Sequence, residues 1–222
     1  TFTPASVQET VDMTVMAFEL AEKYRHPVII LSDAAIGQMM EGVELPDYQE
    51  HDINKFDWTV KGRKDGEPGK KISNAAYFMK NRFADYGIYQ AKLYKKMNEE
   101  EQRWESIEVA DADVVIVAYG ISARVAEEAV KKARAQGIKL GLIRPKTVVP
   151  FPEKAFSEIK KDCKGILIVE MNVKGQMKND VLVASKCKYP LYGYFTVQDV
   201  PKSENIIAIT HDIIAGKAQE VK

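Results

Sequence analysis

The chain has 222 residues, 45% of them apolar, enough for one large domain or one and a half with a core that needs no covalent staples. Its 32 basic and 32 acidic residues cancel, so no net field draws in nucleic acid or an anionic membrane. The two cysteines, Cys163 and Cys187, lie far apart, cannot frame a zinc site or an iron–sulfur cluster, and read as thiols of a reducing, cytoplasmic compartment.

No apolar run approaches the roughly 20 residues of a membrane helix. The opening TFTPASVQET lacks the basic start and apolar middle of a signal peptide and has no initiating Met, and it reads as the edge of a piece cut from a longer protein. Ser6 and Glu9 then form a capping box ahead of Val7, Val11, Val15 and Phe18, predicting a helix that ends near Tyr24. Val28 to Leu31 is an unbroken apolar run, as expected for a strand covered on both faces. Asp33 to Pro46 reads as loop, and residues 47 to 74 as irregular, with KGRKDGEPGKK the candidate exposed excursion.

Helix is expected from Asn74 to about Met97, broken at Gly87, with Glu99 to Glu101 and Arg103 continuing a solvated face. From Asp111 strands and helices alternate. Strands are expected at Val114 to Ala118, Ile138 to Ile143, Ile166 to Val169 and Tyr189 to Tyr194. Helices are expected from a Ser122 cap to Ala135, then at Glu153 to Lys161, at Met177 to Ser185, and from a Ser203 cap through Ile214. The fold class is therefore α/β, a mostly parallel sheet flanked by helices.

The turn AYGISAR invites a phosphate, because a helix N-terminus presents free N–H groups. It lacks the further glycines of a dinucleotide fingerprint and the Gly-Lys-Ser/Thr of a Walker A loop. Gly120, Ser122 and Arg124 remain as a generic anion site, or as a capped helix packed on a sheet. Asp65-Gly66 lacks the flanking strand and the Asn pair of a thiamine diphosphate magnesium motif and reads as a turn. His26, His51 and His211 have no ligand-spaced neighbours, so no metal ligand or catalytic dyad is assigned. Met39, Met40, Trp58, Tyr194 and Phe195 are candidate interface residues, or loop and satellite core.

Three ordered segments carry a resemblance: PASVQETVDMTVMAFELAEKYRHPVIILSDAAIGQMME, AYGISARVAEEAVKKARAQGIKLGLIRPKTVVPFP and IVEMNVKGQM. Together they resemble the alpha subunit of 2-oxoacid:ferredoxin oxidoreductases. The resemblance implies residues 1–46 as the end of a thiamine pyrimidine-binding domain, 47–110 as connector and 111–222 as a transketolase C-terminal-like domain. It implies oxidative decarboxylation of a 2-oxoacid to an acyl-CoA, with 2-oxoisovalerate ahead of 2-oxoglutarate or pyruvate. It further implies thiamine diphosphate and Mg2+ held by a beta subunit, a gamma subunit, iron–sulfur clusters on a ferredoxin-like delta subunit, ferredoxin as acceptor and coenzyme A as co-substrate. The family's thiamine-contacting Glu and its substrate-contacting Thr and Arg lie upstream of such a first helix, so no catalytic or cofactor-binding residue is carried over. Where many relatives have a Gly-Gly pair after the last strand, this chain has Tyr194-Phe195. A flavodoxin-like nucleotide-binding module built on the Gly120 turn and a non-enzymatic interaction scaffold are the other readings.

Overall fold

A computed structural model describes residues 1–48, 50, 52, 54–56, 58, 59, 62, 65, 66 and 82–221. They fall into two compact units, Thr1–Glu44 with Met97–Lys222, and Leu45–Lys96.

The larger unit is built on a five-stranded sheet. Its strands are β1 (Trp104–Ile107), β2 (Val114–Val117), β3 (Leu140–Pro145), β4 (Gly165–Glu170) and β5 (Leu191–Phe195), in the order β1-β3-β2-β4-β5. All neighbours pair parallel except β1, which runs antiparallel to β3. The α/β reading of the sequence is therefore met. β1 was not expected; four residues after a charged helix end give little period-2 signal, and an edge strand needs only one partner.

β2, β3 and β4 are buried along their whole length, as the apolar runs VVIV of β2 and ILIV of β4 require; β3, LGLIRP, also buries Gly141 and Arg144. Alternate residues build two cores. Val115, Val117, Ile166 and Ile168 meet a 3-10 helix (Glu153–Glu158) and α5 (Lys178–Ala184) on one face. Val114, Ile116, Leu167 and Val169 meet α4 (Gly120–Ala135) and α6 (Ser203–Ile214) on the other. Ala123, Ala126, Ala129 and Ala133 keep the sheet-facing side of α4 small, which lets the helix lie close to the strands. The helix expected at Glu153 to Lys161 is thus a shorter 3-10 turn that follows Pro152.

α1 (Val7–Tyr24) has the expected Ser6 cap, whose hydroxyl oxygen accepts the Glu9 N–H. Glu9 reaches back to the amide of Ala5 rather than that of Ser6, a capping box displaced by one residue. Val28 to Leu31 differs from expectation. Only an isolated parallel bridge joins Phe2 to Ile30, and Ile29 and Leu31 are 56% and 44% exposed. Val28 and Ile30 pack toward Phe2, while the alternate residues are exposed. The segment expected as loop contains α2 (Ala34–Gln38), capped by the Asp33 side chain.

α3 (Arg82–Glu100) runs through Gly87 without a break; a helical glycine costs about 1 kcal/mol, which the helix formers around it absorb. Glu101, expected on a solvated face, is 6% exposed and accepts from Tyr24, Lys23 and Arg103. In the smaller unit Phe56 and Trp58 stack at 5.5 Å, and Asp65-Gly66 lies in a turn as expected. Asn74 to Asn81, expected to begin the third helix, lie outside the described residues. Among the described residues no helix is long and apolar enough to cross a membrane.

Candidate functional site

The strand order turns around β2 and β4. The helix after β2 leads to β3 on one side, and the helix after β4 leads to β5 on the other. Such a divergence leaves a crevice beyond the carboxyl ends of the two strands. Here a crevice of about 240 Å³ lies at that point, walled by Tyr119 and Ser122 after β2, by Glu170 to Asn172 and Gln176 after β4, and by Leu31 to Asp33.

Asp33 organises one wall. Its Oδ1 accepts the Ile36 N–H at 2.9 Å and caps α2, while Oδ2 accepts the Ile121 N–H at 2.7 Å in the first turn of α4. Gly120 sits at φ +59, and a Cβ there would stand 2.5 Å from Asp33 Oδ2. Glycine is needed both for the left-handed backbone and for that approach. The carboxylate thus stands on an amide that a phosphate at this turn would use. Ser122, expected as the cap, lies inside α4; the N-cap is Tyr119, which makes no side-chain cap bond, because Asp33 serves this helix end from outside. Ser203 is likewise the first residue of α6 rather than its cap, and its hydroxyl accepts from Lys132. Arg124 points from α4 to Glu41 at 2.7 Å and to the Met39 sulfur at 3.2 Å. The other Glu41 oxygen accepts the Val7 N–H at the start of α1. The Arg124 hydrogen bond, then that amide, hold the Glu41 carboxyl below its ordinary range.

Glu170 closes the opposite wall. It is 2% exposed and accepts from the Asn172 amide at 2.7 Å and from the Met177 N–H at 3.0 Å. Burial raises its carboxyl above the usual value against those two hydrogen bonds. Burial also raises the Tyr119 phenol, with the Glu170 and Asp33 charges adding to it. The loop between Glu170 and Met177 is held by Asn172, whose Oδ1 accepts the N–H groups of Lys174 and Gly175. Phe195 lies over Gly175 and Gly193, where any Cβ would run into its ring.

A second, more open cavity of about 470 Å³ lies beside α1, with Phe2, Met13, Trp104, Glu9 and Lys146 among its walls. Next to it Arg144, 8% exposed at its side chain, donates to both Glu9 oxygens at 2.8 and 2.7 Å and to Glu105 at 2.9 and 2.6 Å. This clasp ties residues 135 positions apart. Neither Asp33 nor Glu170 nor the clasp was found by sequence reasoning. An Asp two residues past an apolar run and ahead of Ala-Ala-Ile is a cap signal that could have located the first.

The remaining expected residues are dispersed. Met40 is 97% exposed, and Trp58 belongs to the smaller unit. Tyr194 accepts a hydrogen bond from Asn205, and Phe195 covers the two glycines. His26 and His211 lie on the surface, and His51 lies outside the described residues. Cys163 and Cys187 are free thiols, and among the described residues no three His, Cys, Asp or Glu side chains stand together to hold a metal ion.

Two family models match the chain in succession. The model described as pyruvate flavodoxin/ferredoxin oxidoreductase, thiamine diphosphate-binding, covers residues 1–107. Pyruvate:ferredoxin oxidoreductase core domain II covers residues 112–199. The chain is 42% identical over 185 residues to the ketoisovalerate oxidoreductase subunit VorB of Methanothermobacter marburgensis, spanning 83% of this chain and 52% of that protein. It is 32% identical over 204 residues to the 2-oxoglutarate synthase subunit KorA of the same organism, spanning 80% of this chain and 54% of that protein. The chain therefore spans about half the length of the curated relatives it matches. Its fold is similar to a solved 2-oxoglutarate:ferredoxin oxidoreductase from Magnetococcus marinus, with a TM-score of 0.72 at 19% identity, covering 96% of this chain and 42% of that one.

Proposed function

Because the chain belongs to the 2-oxoacid:ferredoxin oxidoreductase family, we propose that it forms part of an alpha subunit of such an enzyme, acting on a branched-chain 2-oxoacid such as 2-oxoisovalerate. The observation that carries this reading is the 42% identity to a ketoisovalerate oxidoreductase subunit, against 32% to a 2-oxoglutarate synthase subunit. The reaction is oxidative decarboxylation of the 2-oxoacid to its acyl-CoA with reduction of ferredoxin. Thiamine diphosphate supplies the group that accepts the oxoacid carbon.

The role of this chain in the assembly is to hold walls of a shared centre. The Arg144–Glu9 clasp supports this role, because it fastens a residue of the first matched region to one of the second. Two cysteines cannot by themselves supply the four protein ligands of an iron–sulfur cluster. As the family resemblance implies, the diphosphate, its Mg2+ and the clusters are assigned to beta, gamma and ferredoxin-like delta subunits of a cytoplasmic complex. A flavodoxin-like nucleotide site on the Gly120 turn is disfavoured, because Asp33 stands on the Ile121 amide there and its charge repels a phosphate.

Affinity purification of this chain from its source, with mass spectrometry and cofactor analysis, tests the assignment. Co-isolation with thiamine diphosphate-binding and iron–sulfur chains is expected. Tight stoichiometric binding of thiamine diphosphate by this chain alone, read by calorimetry, would contradict the division of labour.

A further inference from the structure

The crevice beyond β2 and β4 has a chemistry that the assembly role leaves unused. Ser122 is 4% exposed, lines the crevice, and its hydroxyl makes no hydrogen bond to any described residue. Among the described residues the sealed-off side-chain atoms without a partner are Arg103 Nε, Ser106 Oγ and Thr196 Oγ1, so the Ser122 hydroxyl is open to the crevice, where a ligand or water can reach it. The Tyr119 hydroxyl, on the same wall, also makes no hydrogen bond to a described residue. Opposite them, each Glu170 oxygen accepts one hydrogen bond and keeps a second acceptor position. Asp33 adds a further carboxylate at the rim.

No Lys, Arg or His lines this crevice among the described residues. Every polar group named here can accept a hydrogen bond, and two carry or can carry negative charge. Ser32, Asn172 and Gln176 also line the crevice and can donate or accept, so it is the two carboxylates that repel phosphates and carboxylates and favour an N–H donor with positive charge. Leu31, Ile121, Val169 and Met171 supply apolar contact for a flat organic body. The volume of about 240 Å³ corresponds to roughly eight waters at about 30 Å³ each, the size of a small monocyclic molecule.

We propose that this crevice binds a small organic cation bearing N–H groups, an amine or amidine, held by Ser122, Tyr119 and Glu170. Phe195 and Asn172 act as positioning residues, since they fix the loop that carries the Glu170 wall.

The test is isothermal titration of benzamidine into the 222-residue chain, with benzoate and benzyl alcohol as charge controls. One saturable site for benzamidine is expected, with weaker binding of benzyl alcohol and none of benzoate. Ser122→Ala and Tyr119→Phe each remove one oxygen that has no protein partner, so both should fold and weaken binding roughly fivefold. Glu170→Gln, which removes a charged acceptor, should weaken it about tenfold or more. Absence of saturable binding, equal binding of benzoate, or an affinity unchanged in the two hydroxyl variants would overturn the proposal.

Discussion

The carboxylate of Asp33 joins two helices: one oxygen holds the Ile36 amide of α2, and the other holds the Ile121 amide of α4, 88 positions further along the chain. Each bond satisfies an N–H that its helix cannot satisfy itself. Losing a cap of this kind costs about 1 kcal/mol. Asp33→Ala should therefore lower the unfolding free energy by about 2 kcal/mol in a urea titration. Asp33→Asn keeps one acceptor and turns an amide N–H2 toward the other donor, so about half of that loss should persist. Equal stability of all three proteins would show that the Gly120 turn is held by something else.

The Arg144–Glu9 clasp makes stability depend on pH. Burial opposes ionisation of Glu9, but the Arg144 hydrogen bonds, the Ala5 amide and the Arg144 and Lys146 charges outweigh it and bring the carboxyl down to about 2. A carboxyl depressed in the folded state favours folding above its ordinary value of 4.5 and loses that contribution as the pH falls toward about 2. With the Glu9 side chain 22% exposed, solvent screening reduces the contribution to about 1–2 kcal/mol. Glu9→Gln should be less stable than the parent at neutral pH, and the gap should close between about pH 5 and about pH 2. Denaturant midpoints measured across that window decide it; a constant gap would place the acid sensitivity elsewhere.

Phe195 and Gly193 are matched in shape. A Cβ at position 193 would enter the Phe195 ring, and one at Gly175 would do the same from the facing loop. Gly193→Ala should destabilise by about 1–3 kcal/mol, the usual range for overpacking. In a Phe195→Ala background the same change should cost little, giving a coupling energy of about 1–2 kcal/mol in a double-mutant cycle. Additive effects would mean that the ring does not stand over Gly193 in solution.

The sheet was legible because β2 and β4 carry short Val/Ile/Leu runs, each followed by a helix, and burial on both faces leaves no other use for them. Val28 to Leu31 pairs only through an isolated bridge to Phe2 among the described residues, with Ile29 and Leu31 exposed. β1 and α2 were missed because four or five residues carry too few periods to stand out, about two of a strand for β1 and under one and a half of a helix for α2. The crevice was half visible. Gly120, Ser122 and Arg124 marked the turn, but the carboxylates around it, Asp33, Glu41 and Glu170, come from distant segments, and only topology brings those together. Ser122 fits the usual cap signal, yet a remote carboxylate displaced it from that role.

The central claim is that this chain is a working part of a 2-oxoacid:ferredoxin oxidoreductase selective for branched-chain substrates. It is tested most directly by assaying the complex purified through this chain for CoA-dependent ferredoxin reduction. The assay compares 2-oxoisovalerate, 2-oxoglutarate and pyruvate at equal concentrations. The predicted result is fastest turnover of 2-oxoisovalerate, abolished when CoA is left out. A complex that reduces ferredoxin with none of the three, or that prefers 2-oxoglutarate, would contradict it.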